Sequence, residues 1–236
     1  MAKESRQVDV DRIRAMLVAS RANEPERFER SPLPHPKHFD QAIDGFVAAV
    51  KTAFAGDVQE ARRLMGEIAD RELMVWYDEI AQNVGDVRYE LLNQQSAYRK
   101  NGNEIDRDLR DIRMRKLAAR DGHRCCYCGI RVIEPEVLKK IQAVLGRDVF
   151  PSKTNNKGSS NWDYHGVWIL TVMTLDHIDP ISISGRDDDD NLATSCWACN
   201  FGKYDYTVKE LGLQAPRTAL GNTDGWVGLR DFVGLQ

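Results

Sequence analysis

The chain has 236 residues, of which 42% are hydrophobic and 29% charged, with 33 basic against 36 acidic side chains. Those proportions describe one large or two small globular domains and exclude disordered and fibrous classes. The near-neutral balance, taken alone, argues mildly against a nucleic-acid binder, and five cysteines are too few for a disulfide scaffold.

The segment Met1–Arg14 mixes charges of both signs and lacks the apolar core of a signal peptide. No apolar run is long enough to span a bilayer, so no membrane partner and a cytoplasmic location are expected. Pro32, Pro34 and Pro36 stiffen a loop over 31–38. Phe39, Ala42, Ile43, Phe46, Val47, Val50 and Phe54 then recur at three- and four-residue steps, the stripe of a helix with one buried face. Gly56-Asp57 supplies a stop and a cap. A second stripe follows at Leu73, Trp76, Ile80, Val84, Val87 and Leu91, weakened by Gly85. Asn101-Gly102-Asn103 marks a break, and Ile105, Leu109, Ile112 and Leu117 predict a helix over about 104–120.

Beyond Arg120 the character changes. Residues 151–161 are turn-formers and polar residues, hence a loop, and the aromatic and β-branched stretch Trp162–Thr174 predicts strands. The fold class is therefore α+β. A helical region at 1–103, of unassigned role, leads into a cysteine-bearing module at 104–215, and 216–236 forms a tail.

Cys125 and Cys128 are separated by two residues, as are Cys196 and Cys199. Two such knuckles can close one tetrahedral thiolate site, so structural Zn2+ is expected on these four residues. Two buried reduced pairs, or a redox C-x-x-C, are the competing readings, but redox chemistry needs one pair and a thioredoxin-like context that is absent here. Gly129 lets the first knuckle turn. Cys126 is the odd cysteine, read as a semi-buried thiol. The 67 residues between the pairs exceed the usual ribbon spacing.

Between the pairs stands Asp176-His177, followed by Asn191-Leu192 and by Asn200 directly after Cys199. With Arg120-Asp121-Gly122, Cys125-Cys126-Tyr127-Cys128-Gly129, Cys196-Trp197-Ala198-Cys199 and Lys203, this order resembles the HNH endonuclease family, in its zinc-stapled branch. The similarity spans about 107–213. Two departures stand out: the third signature position is Asn200 instead of His, and an insertion at about 130–165 follows the first knuckle. The resemblance implies a ββα-metal module that hydrolyses phosphodiester bonds in DNA. His177 would be the general base, and Asp176 with Asn200 would hold one catalytic divalent cation, Mg2+ by ligand type. Asn191 would fix the loop that carries the histidine; as a residue on its own it also reads as a helix N-cap.

Local charge revises the whole-chain balance. Residues 107–124 carry seven basic and three acidic side chains, and Arg113, Lys116 and Arg120 share one helical face. Together with Arg124 and Lys203 they are the candidate nucleic-acid contacts. Lys153 and Lys157 could add backbone contacts, while Trp162, Tyr164, His165 and Trp168 are read first as core. The run Asp187–Asp190 reads as a solvated loop turned away from substrate. DNA is the expected substrate with RNA left open, and a homodimer is one route to cutting both strands. The competing class is a non-catalytic zinc module that binds nucleic acid or a protein.

Overall fold

The computed structural model describes residues 10–23, 29–35, 38–68, 70–78, 107–152 and 164–234. Helices α1 (Val10–Asn23), α2 (Phe39–Phe54), α3 (Val58–Gly66) and α4 (Asp70–Trp76) come first. They are followed by α5 (Arg107–Arg120), α6 (Pro135–Leu145), α7 (Gly166–Thr171), β1 (Met173–His177), β2 (Leu192–Cys196) and α8 (Trp197–Lys203).

The first apolar stripe forms α2, and its members Phe39, Ala42, Ile43, Phe46, Val47 and Val50 are buried. At about 1.5–3 kcal/mol for each large side chain taken from water, that face is what holds the helix down. Asp57 caps α3 by accepting the Glu60 N–H at 2.9 Å. Of the second stripe, Leu73 and Trp76 are buried in α4, whereas Ile80, Val84, Gly85, Val87 and Leu91, like the Asn101–Asn103 break, lie outside the described residues. So do Lys153, Lys157 and Trp162.

β1 and β2 pair antiparallel, from Met173 opposite Cys196 to His177 opposite Leu192, and α8 starts directly after β2. This ββα unit is the α+β part of the fold. Strand structure is narrower than Trp162–Thr174 suggests, because Gly166–Thr171 is a helix. Every residue of that helix is buried, so its composition carries no two-sided period that could separate helix from strand. His165 caps it by accepting the Val167 N–H at 3.2 Å. Gly166 is required there: a Cβ would come within 2.6 Å of Leu73 Cβ on α4.

The main cluster of buried apolar side chains runs from Leu33 to Leu229, across both positions where the sequence suggests boundaries, near 103 and near 216, and Tyr206, Leu211 and Leu213 form a smaller one. The inserted segment mediates this union. The Phe46 ring of α2 lies 5.0 Å from Phe150, which in turn lies 5.1 Å from Trp168 of α7. Arg62 of α3 donates to the Leu145 carbonyl at the end of α6, 2.6 Å away.

The C-terminal residues wrap the first knuckle. Arg217 N–H donates to Cys126 O at 2.9 Å, Gly221 N–H to Arg120 O at 2.9 Å, and Trp226 Nε1 to His123 O at 3.1 Å. Gly122, with φ +66°, is pressed against this strap, since a Cβ there would meet Gly221 O at 2.0 Å.

Asp121 fastens these pieces together. Its fully buried carboxylate accepts Arg120 Nε and Nη2 at 2.7 and 2.8 Å, Thr194 N–H at 3.0 Å and Ala219 N–H at 2.9 Å. Burial pushes its pKa up, but the bonds from Arg120, Ala219 and Thr194 outweigh that and leave it below the ordinary carboxylate value. A depressed carboxyl contributes stability above its unfolded pKa and loses it as pH falls through the folded value. Asp121→Ala should therefore cost about 3–5 kcal/mol at neutral pH in urea unfolding followed by circular dichroism. The difference from wild type should shrink on acidification below the usual carboxylate range.

Candidate active site and metal centre

Cys125 and Cys128 lie in a tight turn flanked by the Arg124–Arg131 bridge, and Cys196 and Cys199 at the junction of β2 and α8. Gly129 N–H donates to Cys125 O at 2.8 Å and adopts φ +73°. All four thiols are buried, with their sulfurs within 4.8 Å of one another. Cys128 Sγ and Cys196 Sγ are 3.8 Å apart, the edge expected of a tetrahedron with Zn–S bonds of about 2.3 Å. The cluster is compatible with one structural zinc. It is the group of three or more His, Cys, Asp or Glu found suited to a metal among the described residues. Cys126 turns the other way: its N–H donates to Thr194 O at 2.8 Å, and burial, then the neighbouring Asp121 charge, pushes its thiol pKa up.

Asp176 and His177 occupy the end of β1 and, as successive strand residues on opposite faces, take different partners. The buried Asp176 carboxylate accepts the Tyr127 hydroxyl on Oδ2 and lies 3.2 Å from Lys203 Nζ. Burial raises its pKa, opposed by Lys203 and by the Tyr127 hydrogen bond. The Tyr127 hydroxyl is pushed up in turn, by burial and by the Asp176 charge. His177 keeps its side chain 23% exposed, with Nε2 at 3.1 Å from Asp187 Oδ1.

Asn191 is buried and clamps the loop that follows His177. Its Oδ1 accepts Asp179 N–H at 2.9 Å, and its Nδ2 donates to Asp179 O and Arg186 O at 2.9 and 2.7 Å. It caps no helix; Asp188 does that, accepting the Asn191 N–H at 3.0 Å. Asn200, in the first turn of α8, donates Nδ2 to Thr174 Oγ1 and Leu175 O, both at 3.1 Å. Spending its N–H groups there leaves Oδ1 as the acceptor. One carboxylate and one amide oxygen suit a hard divalent ion that keeps most of its water, and Lys203 Nζ is the cation that Asp176 pairs with here.

The basic side chains are less free than their sequence suggests. Lys203 is buried and donates to His177 O at 2.8 Å, so it holds the end of β1 and offers no outer surface. Arg120 is spent on Asp121, on Asp189 O at 2.7 Å and on Leu192 O at 2.6 Å. Arg124 pairs with Asp224 and Gly129 O. Arg113 meets Asp187 and Asp189 at 2.8 Å each, and the exposed Lys116 meets Asp189 at 2.6 Å. The run Asp187–Asp190 is therefore not a loop turned into solvent, because two of its carboxylates grip α5. The cations hold Asp189 below the usual carboxylate range, Lys116 most and then Arg113. Trp168 and His165 are core, and the Tyr164 ring packs 5.9 Å from Trp197.

Nothing in the sequence pattern marks Tyr127 or Asp187 for a part in the site. Tyr127 is the middle of the first knuckle and reads as packing; only closure of the cysteine cluster brings it to Asp176.

Residues 163–205 match the family model described as HNH endonuclease. The match takes in β1, β2 and α8, with Asp176, His177, Asn191, Asn200 and the second knuckle. This part of the chain is an HNH endonuclease domain, which points to nuclease-type chemistry. No curated protein and no solved structure gave a significant match.

Elemental analysis of the purified protein should find about one zinc per chain, falling in Cys196→Ser and unchanged in Cys126→Ser. Chelation should unfold the wild-type module, because metal binding of this kind is folding free energy.

Proposed function

We propose that the protein is a metal-dependent endonuclease that hydrolyses phosphodiester bonds in DNA. The observation that carries this reading is His177: a partly exposed imidazole at the very end of β1, on a ββα unit whose α8 carries Asn200 in its first turn. Its backbone is braced on both sides, by Lys203 on its carbonyl and by Asn191 on the loop beyond it.

In this reading His177 takes the proton from the attacking water, a task suited to an imidazole whose ordinary pKa lies near neutrality. Asp176 and Asn200 would hold one divalent ion, Mg2+ by ligand chemistry. When bound, that ion supplies positive charge beside the scissile phosphate and the departing 3′-oxygen. Lys203 and Tyr127 keep the Asp176 carboxylate aimed. Asn191 keeps the loop from carrying His177 out of line. The products are 5′-phosphate and 3′-hydroxyl ends.

For the substrate backbone we favour Lys116 and Arg124 over the buried Lys203 and over Arg113 and Arg120, which are spent on carboxylates and carbonyls of the fold. Surface pairs such as Lys116–Asp189 are worth about 0–1 kcal/mol, so a phosphate can replace the carboxylate at little cost. Cutting both strands with one such site per chain calls for a homodimer or for two successive nicks.

Wild-type protein should nick supercoiled plasmid in the presence of Mg2+, and His177→Ala should slow nicking by about 10²–10⁴-fold while its circular dichroism stays unchanged. Equal nicking by both proteins would remove His177 from the role of base. A wild-type protein that binds DNA or a protein but cuts neither DNA nor RNA would instead identify a non-catalytic zinc module.

A further inference from the structure

Asp187 faces the one side chain that the reaction needs to be oriented. Its Oδ1 lies 3.1 Å from His177 Nε2 and 2.8 Å from Arg113 Nη1. Arg113 stands on α5, a different element, and is pinned in turn by Asp189, whose Oδ1 accepts Arg113 Nε at 2.8 Å. The chain is thus His177, Asp187, Arg113, Asp189, anchored at one end in the catalytic strand and at the other in the loop before Asn191.

A carboxylate can only accept, so the ring nitrogen that faces it carries a hydrogen. His177 therefore presents Nε2–H to Asp187, and in the neutral ring the lone pair sits on Nδ1. The backbone around His177 is already braced by Lys203 and Asn191; what remains free is rotation of the ring itself. Among the described residues, Asp187 is the side chain bonded to that ring.

We propose that Asp187 is the positioning residue of the nuclease reaction: held by Arg113, it fixes the His177 ring so that Nδ1 is the atom that accepts the proton of the attacking water. This rests on the reading of His177 as general base. The hydrogen bond from His177 keeps the Asp187 carboxyl below the usual carboxylate range; burial opposes it, and the charge and bond of Arg113 help to offset that burial, so the carboxylate remains an acceptor at neutral pH. The role also accounts for an acidic residue so close to a phosphodiester site. Its charge is matched by Arg113 and its acceptor is occupied by the ring, so it presents little repulsion to the substrate.

The test uses the full-length protein and two readouts. In ¹⁵N-edited proton spectra, wild type should show a slowly exchanging, downfield Nε2–H of His177, assigned by its loss in His177→Ala. Asp187→Ala should lose that resonance and lower kcat on plasmid by about 10–100-fold, with KM changed by less than about threefold. Asp187→Asn, whose amide oxygen still accepts, should recover part of both. Asp190→Asn removes the same charge from the same run without touching His177, and should change neither. An Asp187→Ala protein that keeps the resonance, or cuts within about twofold of wild type, overturns the proposal. If Asp187→Ala does not fold, Asp187→Asn carries the decision: partial or complete loss of both readouts supports the role, and wild-type behaviour in either overturns it. The resonance does not depend on cleavage. A His177→Ala protein that still cuts therefore overturns the base assignment separately, whatever the spectra of the Asp187 variants show.

Discussion

Closure of Cys125 and Cys128 onto Cys196 and Cys199 is the constraint on which the rest of the molecule depends. The two knuckles are separated by 67 intervening residues, yet their sulfurs share one buried cluster. That closure seats the end of α5 against β2, brings Tyr127 to Asp176, and fixes where α8 begins. A two-stranded sheet of five residues per strand has almost no stability of its own. Here it is stapled at one end by the cysteines and clipped at the middle of β2 by Asp121, which accepts the Thr194 N–H.

The near-neutral charge of the chain is an internal matching of opposite charges, not an absence of local fields. α5 is strongly basic, and the loop before β2 is strongly acidic. In the fold they face one another, Arg113 and Lys116 against Asp187 and Asp189. Pairs of this kind contribute little to stability when exposed. Their consequence is positional, because they set the loop that flanks His177 against a helix anchored by the first knuckle. Any polyanion approaching this face competes with carboxylates already in place.

Asp176 and Lys203 form the opposite kind of pair. Both are buried, and a buried ion pair repays its desolvation only when the remaining donors and acceptors are satisfied. Tyr127 and the His177 carbonyl meet that condition. The arrangement concentrates charge at the end of β1, where the exposed imidazole begins.

Several features could be read directly from the sequence. The α2 stripe, the Gly56-Asp57 break, the two C-x2-C pairs and the order of Asp176, His177, Asn191 and Asn200 are carried by spacings within one element or one motif. Spacing of that kind reports local geometry, so α2 and the clustering of the cysteines were legible before any coordinates, whereas the ββα order was implied only by the family resemblance that those motifs carry. The helix at Gly166–Thr171 was not, because a segment buried on every side has no periodic contrast between faces. Nor were the partners of the charges: Arg113 and Asp187 are 74 residues apart, and Arg124 and Asp224 100 apart. Composition established that cations and anions balance. Only the tertiary structure decided which cation meets which anion, because that depends on long-range closure at the cysteine cluster and on one shared core, and no local pattern encodes either.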